Sequence, residues 1–309
     1  MKIAFHISLL IIPAFTFLRS LRIIRFKIFF ERISCTMSYR FVAIDVDGTL
    51  LDSNKNLSVY TKETIQQCIK KGITVCICTG RPVQTIDRFT ELLGVKECPA
   101  IQEMPFILYN GAMVAVGENH DIIFEQPLSE SAGKTLLNLG QKLGSTLIAW
   151  SQNKLYVNEL NERIENYCTI TPVEPIVITD PDALAKQGIT KMIWYDEAER
   201  MPALIDALNA EPARQEINYF TSNPLFLELV DKRCSKGLAI EQLIRHLGIS
   251  REETIAIGDG YNDIPMLEYA GLGIAMGNAC DAVKAAADAV TDTNDNDGVA
   301  KSLIRYFNL

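Results

Sequence analysis

Asp45 and Asp47, two residues apart and followed by Gly48-Thr49, head a set of polar groups that each stand where an apolar run ends. Thr79, Gly80 and Arg81 follow a second run and Asn110-Gly111 a third, while Lys236 opens an amphipathic stretch. A further run gives way to Gly258, Asp259, Gly260, Tyr261, Asn262 and Asp263. Carboxylates without histidine suit a hard cation such as Mg²⁺, which takes one or two protein carboxylates and keeps its other positions for water and substrate phosphate. Glycine-bounded loops let backbone N–H groups approach an anion, Thr79 adds a hydroxyl donor, and Lys236 adds a point positive charge. The ligand implied is a phosphate.

These groups can meet only if the runs before them are neighbouring strands, because ligands in open α/β sheets bind beyond the carboxyl ends of strands. Residues 41–46, 73–78 and 106–109 are short, apolar and rich in β-branched residues, the pattern of buried strands. Between them, Ser58 is placed to cap a helix over 59–71 closed by Gly72, and 83–93 reads as a second helix before Gly94. Strand, helix, strand, helix, strand indicates a parallel, doubly wound, Rossmann-like α/β sheet. From about 126 to 230 the texture changes. Helix-like stretches (129–143, 182–186, 198–210) alternate with strand-like ones (146–150, 154–157, 189–195, 225–230), as in a separate α+β unit of about 100 residues. Helices at 235–247, 262–269, 281–287 and 299–307 with strands at 254–257 and 272–275 then resume the first pattern. The expected organisation is a core of 37–125 and 231–309 with 126–230 inserted as a second domain.

Composition narrows the function. The chain has 309 residues, 48% hydrophobic and 22% charged, with a net charge of −8, enough apolar residues for a packed core. The first 36 residues carry +5, which leaves −13 on the other 273. An acidic body repels nucleic-acid phosphates, so no nucleic-acid partner is expected. Residues 3–18 form an apolar run of sixteen that contains His6 and Pro13, short of the roughly 20 apolar residues a membrane span needs. No small-residue cleavage site follows it. Arg19, Arg22, Arg25 and Lys27 after it could lie on a membrane surface, but Met37, four residues before the first strand, is the expected start, with 1–36 extraneous and no membrane partner. Eight cysteines without a Cys-x-x-Cys pair and only three histidines exclude a zinc site and suit reduced thiols in the cytoplasm. A cysteine-phosphatase loop needs Cys at 75, which is Val75, and Gly133-Lys134-Thr135 lacks the first P-loop glycine at 128, which is Leu128. Gly271-x-Gly273 lacks the third dinucleotide-binding glycine at 276. Trp150 and Trp194, in strand-like runs, are expected in the core.

Asp45-Val46-Asp47-Gly48-Thr49-Leu50-Leu51, Thr79-Gly80-Arg81, Lys236-Gly237 and Gly258-Asp259-Gly260-Tyr261-Asn262-Asp263 together resemble the four motifs of the haloacid dehalogenase (HAD) superfamily, in family order, over residues 37–309. Asn110-Gly111-Ala112, Ala275-Met276-Gly277-Asn278-Ala279 and Asp297-Gly298-Val299-Ala300 resemble its Cof-type sugar-phosphatase branch. Asp45 and Thr79 are 34 residues apart, too few to hold a domain, whereas Thr79 and Lys236 are 157 apart. That placement resembles the C2 class of cap.

The resemblance implies that Asp45 attacks phosphorus to form an aspartyl-phosphate, and that Asp47 protonates the leaving oxygen and then activates water. It implies Mg²⁺ on Asp45, the backbone carbonyl of Asp47, and Asp259, with Asp263 holding a metal-bound water or the loop. Thr79, Gly80, Lys236 and Asn262 would bind the phosphoryl oxygens, and Arg81, Asn110 and Gly111 would lie on the substrate side. The expected function is a Mg²⁺-dependent phosphatase for small phosphorylated metabolites, sugar phosphates foremost. A phosphomutase on the same scaffold and a non-catalytic phosphometabolite-binding regulator are the alternatives. No oligomeric state is implied.

Overall fold

The structure, a computed structural model, describes residues 39–117 and 119–309, so the 1–36 extension read from the sequence lies outside the described residues. Strand β1 (Phe41–Asp45) is buried along its whole length, as a central strand must be. Helix α1 (Val59–Lys70), capped by the Ser58 hydroxyl accepting from the Thr61 N–H, returns the chain to β2 (Thr74–Cys78). Helix α2 (Ile86–Leu93), entered through a 3₁₀ turn at Val83–Thr85, leads to β3 (Phe106–Leu108). An antiparallel pair without an assignment in the sequence reading, β4 (Met113–Val116) and β5 (Asp121–Glu125), then extends the sheet. The rest of the layer comes from the last third of the chain: helix α7 (Lys236–Leu247), β12 (Thr254–Gly258), α8 (Ile264–Tyr269), β13 (Leu272–Ala275), α9 (Asp281–Ala286), β14 (Ala289–Val290) and α10 (Gly298–Phe307).

The eight strands lie in the order β14-β13-β12-β1-β2-β3-β4-β5 and are parallel from β14 to β3. Alternate residues of β1 face opposite layers, the period of two of an extended strand. Val42 and Ile44 pack with Ile65 of α1, Phe89 of α2 and Leu303 of α10. Phe41 and Ala43 pack with Ile240 and Leu243 of α7, Met266 of α8 and Val283 of α9. The sheet is thus wound on both faces. Chain direction across it reverses between β1 and β12, and such a switch point opens a crevice at the carboxyl ends of its two strands.

The intervening chain builds a second sheet of six strands. In sequence it runs α3 (Glu130–Lys142), β6 (Thr146–Ser151), β7 (Lys154–Val157), α4 (Glu162–Ile170), β8 (Ile176–Val177), α5 (Pro181–Gln187), β9 (Lys191–Tyr195), α6 (Met201–Ala210), β10 (Ile217–Asn223) and β11 (Phe226–Asp231). Its order is β10-β11-β9-β6-β7-β8. Leu147, Met192, Trp194, Leu227 and Leu229 cover one face and pack with Leu136 of α3, Leu184 of α5 and Leu208 of α6. The opposite face, with Ile148, Trp150 and Ile193, joins the apolar cluster of the first sheet, where the Trp150 and Tyr109 rings meet at 5.9 Å between centroids. Both tryptophans are core, as expected. Among the described residues no helix is long and apolar enough to cross a membrane.

Candidate active site

Four adjacent strands, β12, β1, β2 and β3, end on one edge of the sheet, and each delivers its loop there. Asp45 is the last residue of β1 and is buried. Lys236 is the first residue of α7, whose cap Ser235 accepts from the Leu238 N–H, and it has no exposed surface. Its ammonium donates to Asp45 Oδ1 at 2.5 Å and to Asp263 Oδ1 at 2.6 Å. Glycine at 111 makes that approach possible. Its φ of +96° is unfavourable for other residues, and a Cβ there would overlap the carbonyl oxygen of Ser235. Gly111 therefore seats Lys236 from behind.

Asp263 is fully engaged: one oxygen takes Lys236, and the other accepts the N–H groups of Asp259 (2.9 Å) and Gly260 (2.8 Å). That fits a loop-holding role. Asp259 receives the Thr49 hydroxyl at 2.8 Å, while Asn278 Nδ2 donates to the carbonyl of Gly48 at 2.8 Å. Asp45, Asp259 and Asp263 each offer an oxygen within 4.8 Å of the others. One ammonium among three carboxylates leaves the cluster short of positive charge. Burial and the neighbouring Asp263 push the Asp45 carboxyl up to about 8 against the pull of Lys236, and burial also raises Asp259. For Lys236 burial opposes the charge, but Asp263 and Asp45 outweigh it and the ammonium is held more tightly than usual. An all-oxygen donor set short of positive charge fits a hard divalent cation, which Asp45 and Asp259, less engaged than Asp263, could hold.

Asp47 stands apart, half-exposed, with its carboxylate gripped by Arg81 Nη2 at 2.8 Å and Lys55 Nζ at 3.1 Å. Partial burial alone would raise its pKa, but Arg81 and Lys55 together hold it below the usual range. Thr79 is buried, and its Oγ1 accepts from the Arg81 N–H at 3.2 Å. Asn262 Nδ2 donates to Asn110 Oδ1 at 3.1 Å. Asp45, Asp47, Thr79, Gly80, Arg81, Asn110, Asn262 and both motif aspartates of the β12 loop face one cavity of about 410 Å³. Lys236 lies beneath that surface, and Gly111 packs behind it.

The sequence profile of the haloacid dehalogenase-like hydrolases matches residues 42–303. The chain belongs to this family. As a haloacid dehalogenase-like hydrolase it carries a Rossmann-like core, consistent with the solved structures it resembles. The chain is 30% identical over 280 residues to the Bacillus subtilis 5-amino-6-(5-phospho-D-ribitylamino)uracil phosphatase YitU, covering 87% of this chain and 97% of that one. Among solved structures it is similar to a haloacid dehalogenase-like hydrolase from Bacteroides thetaiotaomicron, with 30% identity, a TM-score of 0.76 and coverage of 87% and 100%. It is also similar to the HAD subclass IIB sugar phosphatase BT4131, with 28% identity, a TM-score of 0.72 and coverage of 87% and 99%.

Several residues of this site have no role in the sequence reading. Thr49 and Asn278 sit inside quoted motifs, yet their bonds to Asp259 and Gly48 depend on loops far apart in sequence. Lys55 lies eight residues past Asp47 in a turn and carries no motif. Lys191 and Glu228, on β9 and β11, face the cavity from the second sheet and are paired at 2.8 Å with 5% and 7% of their side chains exposed. A partial signal was available: Lys191 opens a run that is otherwise apolar, Glu228 interrupts one, and a buried charge requires a partner.

Proposed function

We propose that this chain is a cytoplasmic, Mg²⁺-dependent phosphatase that hydrolyses small phosphorylated metabolites, sugar phosphates among them, through an aspartyl-phosphate on Asp45. The observation that carries the reading is Asp45 itself, a buried carboxylate at a strand end, beside an ammonium and a cation-seeking acidic cluster, on the floor of a cavity of metabolite size. The similarity to YitU and to a sugar phosphatase supports the substrate class.

Asp45 attacks phosphorus in line with the ester oxygen; the P–O bond to the leaving group breaks as the Asp45 O–P bond forms. Mg²⁺ held by Asp45, Asp259 and the carbonyl of Asp47 would screen the charge of nucleophile and phosphoryl group from each other. Thr79 and Asn262 donate to the phosphoryl oxygens, and Lys236 fixes the Asp45 carboxylate from below. Asp47 supplies the leaving oxygen with a proton. In the free site Arg81 and Lys55 hold Asp47 ionised. An arriving phosphate dianion competes for both cations and adds negative charge beside Asp47, and each effect favours its protonated form. Asp47 then takes a proton from water as that water attacks phosphorus; the Asp45 O–P bond breaks, the Asp45 carboxylate is regenerated and inorganic phosphate leaves. The inserted unit, proposed as residues 126–230, is the cap that closes the cavity over the leaving group and excludes bulk water.

Phosphate release from a panel of phosphorylated metabolites, before and after EDTA and with Mg²⁺ restored, tests this reading. Loss with EDTA and recovery with Mg²⁺ are expected; full turnover by metal-stripped protein would refute the metal role.

A further inference from the structure

Lys191 and Glu228 form an ion pair that belongs to the second sheet and also bonds to loops of the first. They sit on neighbouring antiparallel strands, on the face of β9 and β11 that also presents Ile193 and Phe226 to the cavity. The Lys191 ammonium donates to Glu228 at 2.8 Å and to the backbone carbonyl of Gly80 at 2.9 Å. Glu228 Oε2 accepts from Asn110 Nδ2 at 3.0 Å, and Asn110 Oδ1 accepts from Asn262 Nδ2 at 3.1 Å. A pair this deeply buried is a poor adhesive, since desolvating two charges consumes most of what their attraction returns and apolar side chains would join two sheets as well. What the pair provides that apolar residues cannot is polarity. An ionised carboxylate only accepts hydrogen bonds, so Asn110 must turn its NH₂ toward Glu228 and its oxygen away. Asn262 must then offer an N–H to that oxygen, which leaves its second N–H for the cavity. The lysine meanwhile pins the carbonyl of Gly80, between Thr79 and Arg81. Because the two charges cancel, the pair brings both effects into an anion site without competing for the anion.

We propose that Lys191 and Glu228 are positioning residues through which seating of the inserted sheet sets the Thr79–Arg81 loop and the Asn262 amide for the phosphoryl group. This rests on the phosphatase reading above and adds to it a means by which the covering unit switches the core. The double variant Lys191→Met/Glu228→Gln removes both charges together and avoids the lone buried charge that Lys191→Met would leave. Its kcat is expected to fall by about ten- to a hundredfold, the scale of a small misplacement of catalytic groups. KM should stay near the parent value, and the loss should be the same for p-nitrophenyl phosphate and for a hexose phosphate, because the pair acts on the groups that hold the phosphoryl. Hydrogen exchange in peptides spanning 79–82 and 258–263 should quicken in the same protein. Parent kcat with parent exchange overturns the proposal. A rise in KM confined to one ester also overturns it, since the pair would then be a leaving-group contact. Should the double variant fail to fold, the milder charge-neutral pair Lys191→Gln/Glu228→Gln is subject to the same kinetic and exchange criteria. If neither ester is hydrolysed by the parent, the phosphatase reading fails by itself. Exchange measured with Mg²⁺ and inorganic phosphate then decides the positioning role: quickened loops support it and unchanged loops overturn it.

Discussion

Asp45, the proposed nucleophile, carries an electrostatic cost to the fold around it. Its folded pKa of about 8 lies above the ordinary value of about 4, so the folded protein retains a proton that the unfolded chain releases. Between those two values stability falls as pH rises. Asp45→Asn removes this fall. At pH 8 in EDTA the variant should melt above the parent, near pH 4 the two should melt together, and Mg²⁺ at pH 8 should raise the parent more than the variant. A variant that melts below the parent at pH 8 would contradict this electrostatic account. Turnover should be lost at every pH. Asp47→Asn should fail differently, losing proton transfer, which is typically worth ~10²–10⁴-fold. A nitrophenolate leaves without a proton, so rapid-quench kinetics with p-nitrophenyl phosphate should show a burst and then a stall, whereas a hexose phosphate should show no burst. At this scale the sequence was legible where a polar group directly follows an apolar run, as with Asp45, Thr79 and Asp259. It marked Lys191 and Glu228 only as charges in apolar runs and did not pair them, 37 residues apart, because only strand order makes them neighbours.

Among the elements, the turn after β3 concentrates the most constraint. Tyr109 and Asn110 take φ of 53° and 58° and Gly111 follows at 96°, three successive residues in the left-handed region where side chains other than glycine's cost free energy. Gly111→Ala should cost about 1–3 kcal/mol from backbone conformation alone, read as a lowered midpoint in urea. Because the new methyl pushes against Ser235, it should also displace Lys236 and lower kcat. A variant with parent midpoint and parent kcat would show that the turn relaxes freely. The sequence identified Asn110-Gly111 as a substrate-side feature but did not show the seat that Gly111 makes for Lys236, because side-chain chemistry reads directly and a backbone approach to residues 235–236 does not. Strands β1, β2, β3 and β12 were legible as short, largely apolar runs. The pair β4 and β5 was not, since β5 lies at the sheet edge with its residues partly exposed and lacks an apolar run's contrast. Helix α4 had a signal that was passed over: Asn161 caps it through the Ile164 N–H, and Glu162 and Glu165 fill its first turn.

At the scale of the whole molecule, alternation of strand and helix on both sides of a differently textured segment was enough to read a doubly wound sheet with a second unit in its sequence. How the two sheets face each other was beyond it, because that depends on which side of each β-strand in the second sheet packs against α3, α5 and α6. The other side, covered in part by Ile164 and Tyr167 of α4, carries Ile148, Trp150 and Ile193, and these share one apolar cluster with Val42 and Ile44 of the first sheet and Tyr109 of the turn after β3. Any motion that parts the sheets to admit substrate or release product must wet that cluster. Wetting apolar surface raises heat capacity, so the enthalpy of such a step grows with temperature. If opening limits turnover, an Arrhenius plot of kcat should curve, and filling less of the seam through Trp150→Leu should straighten it. A straight plot in the parent would mean that the sheets need not part for the enzyme to turn over.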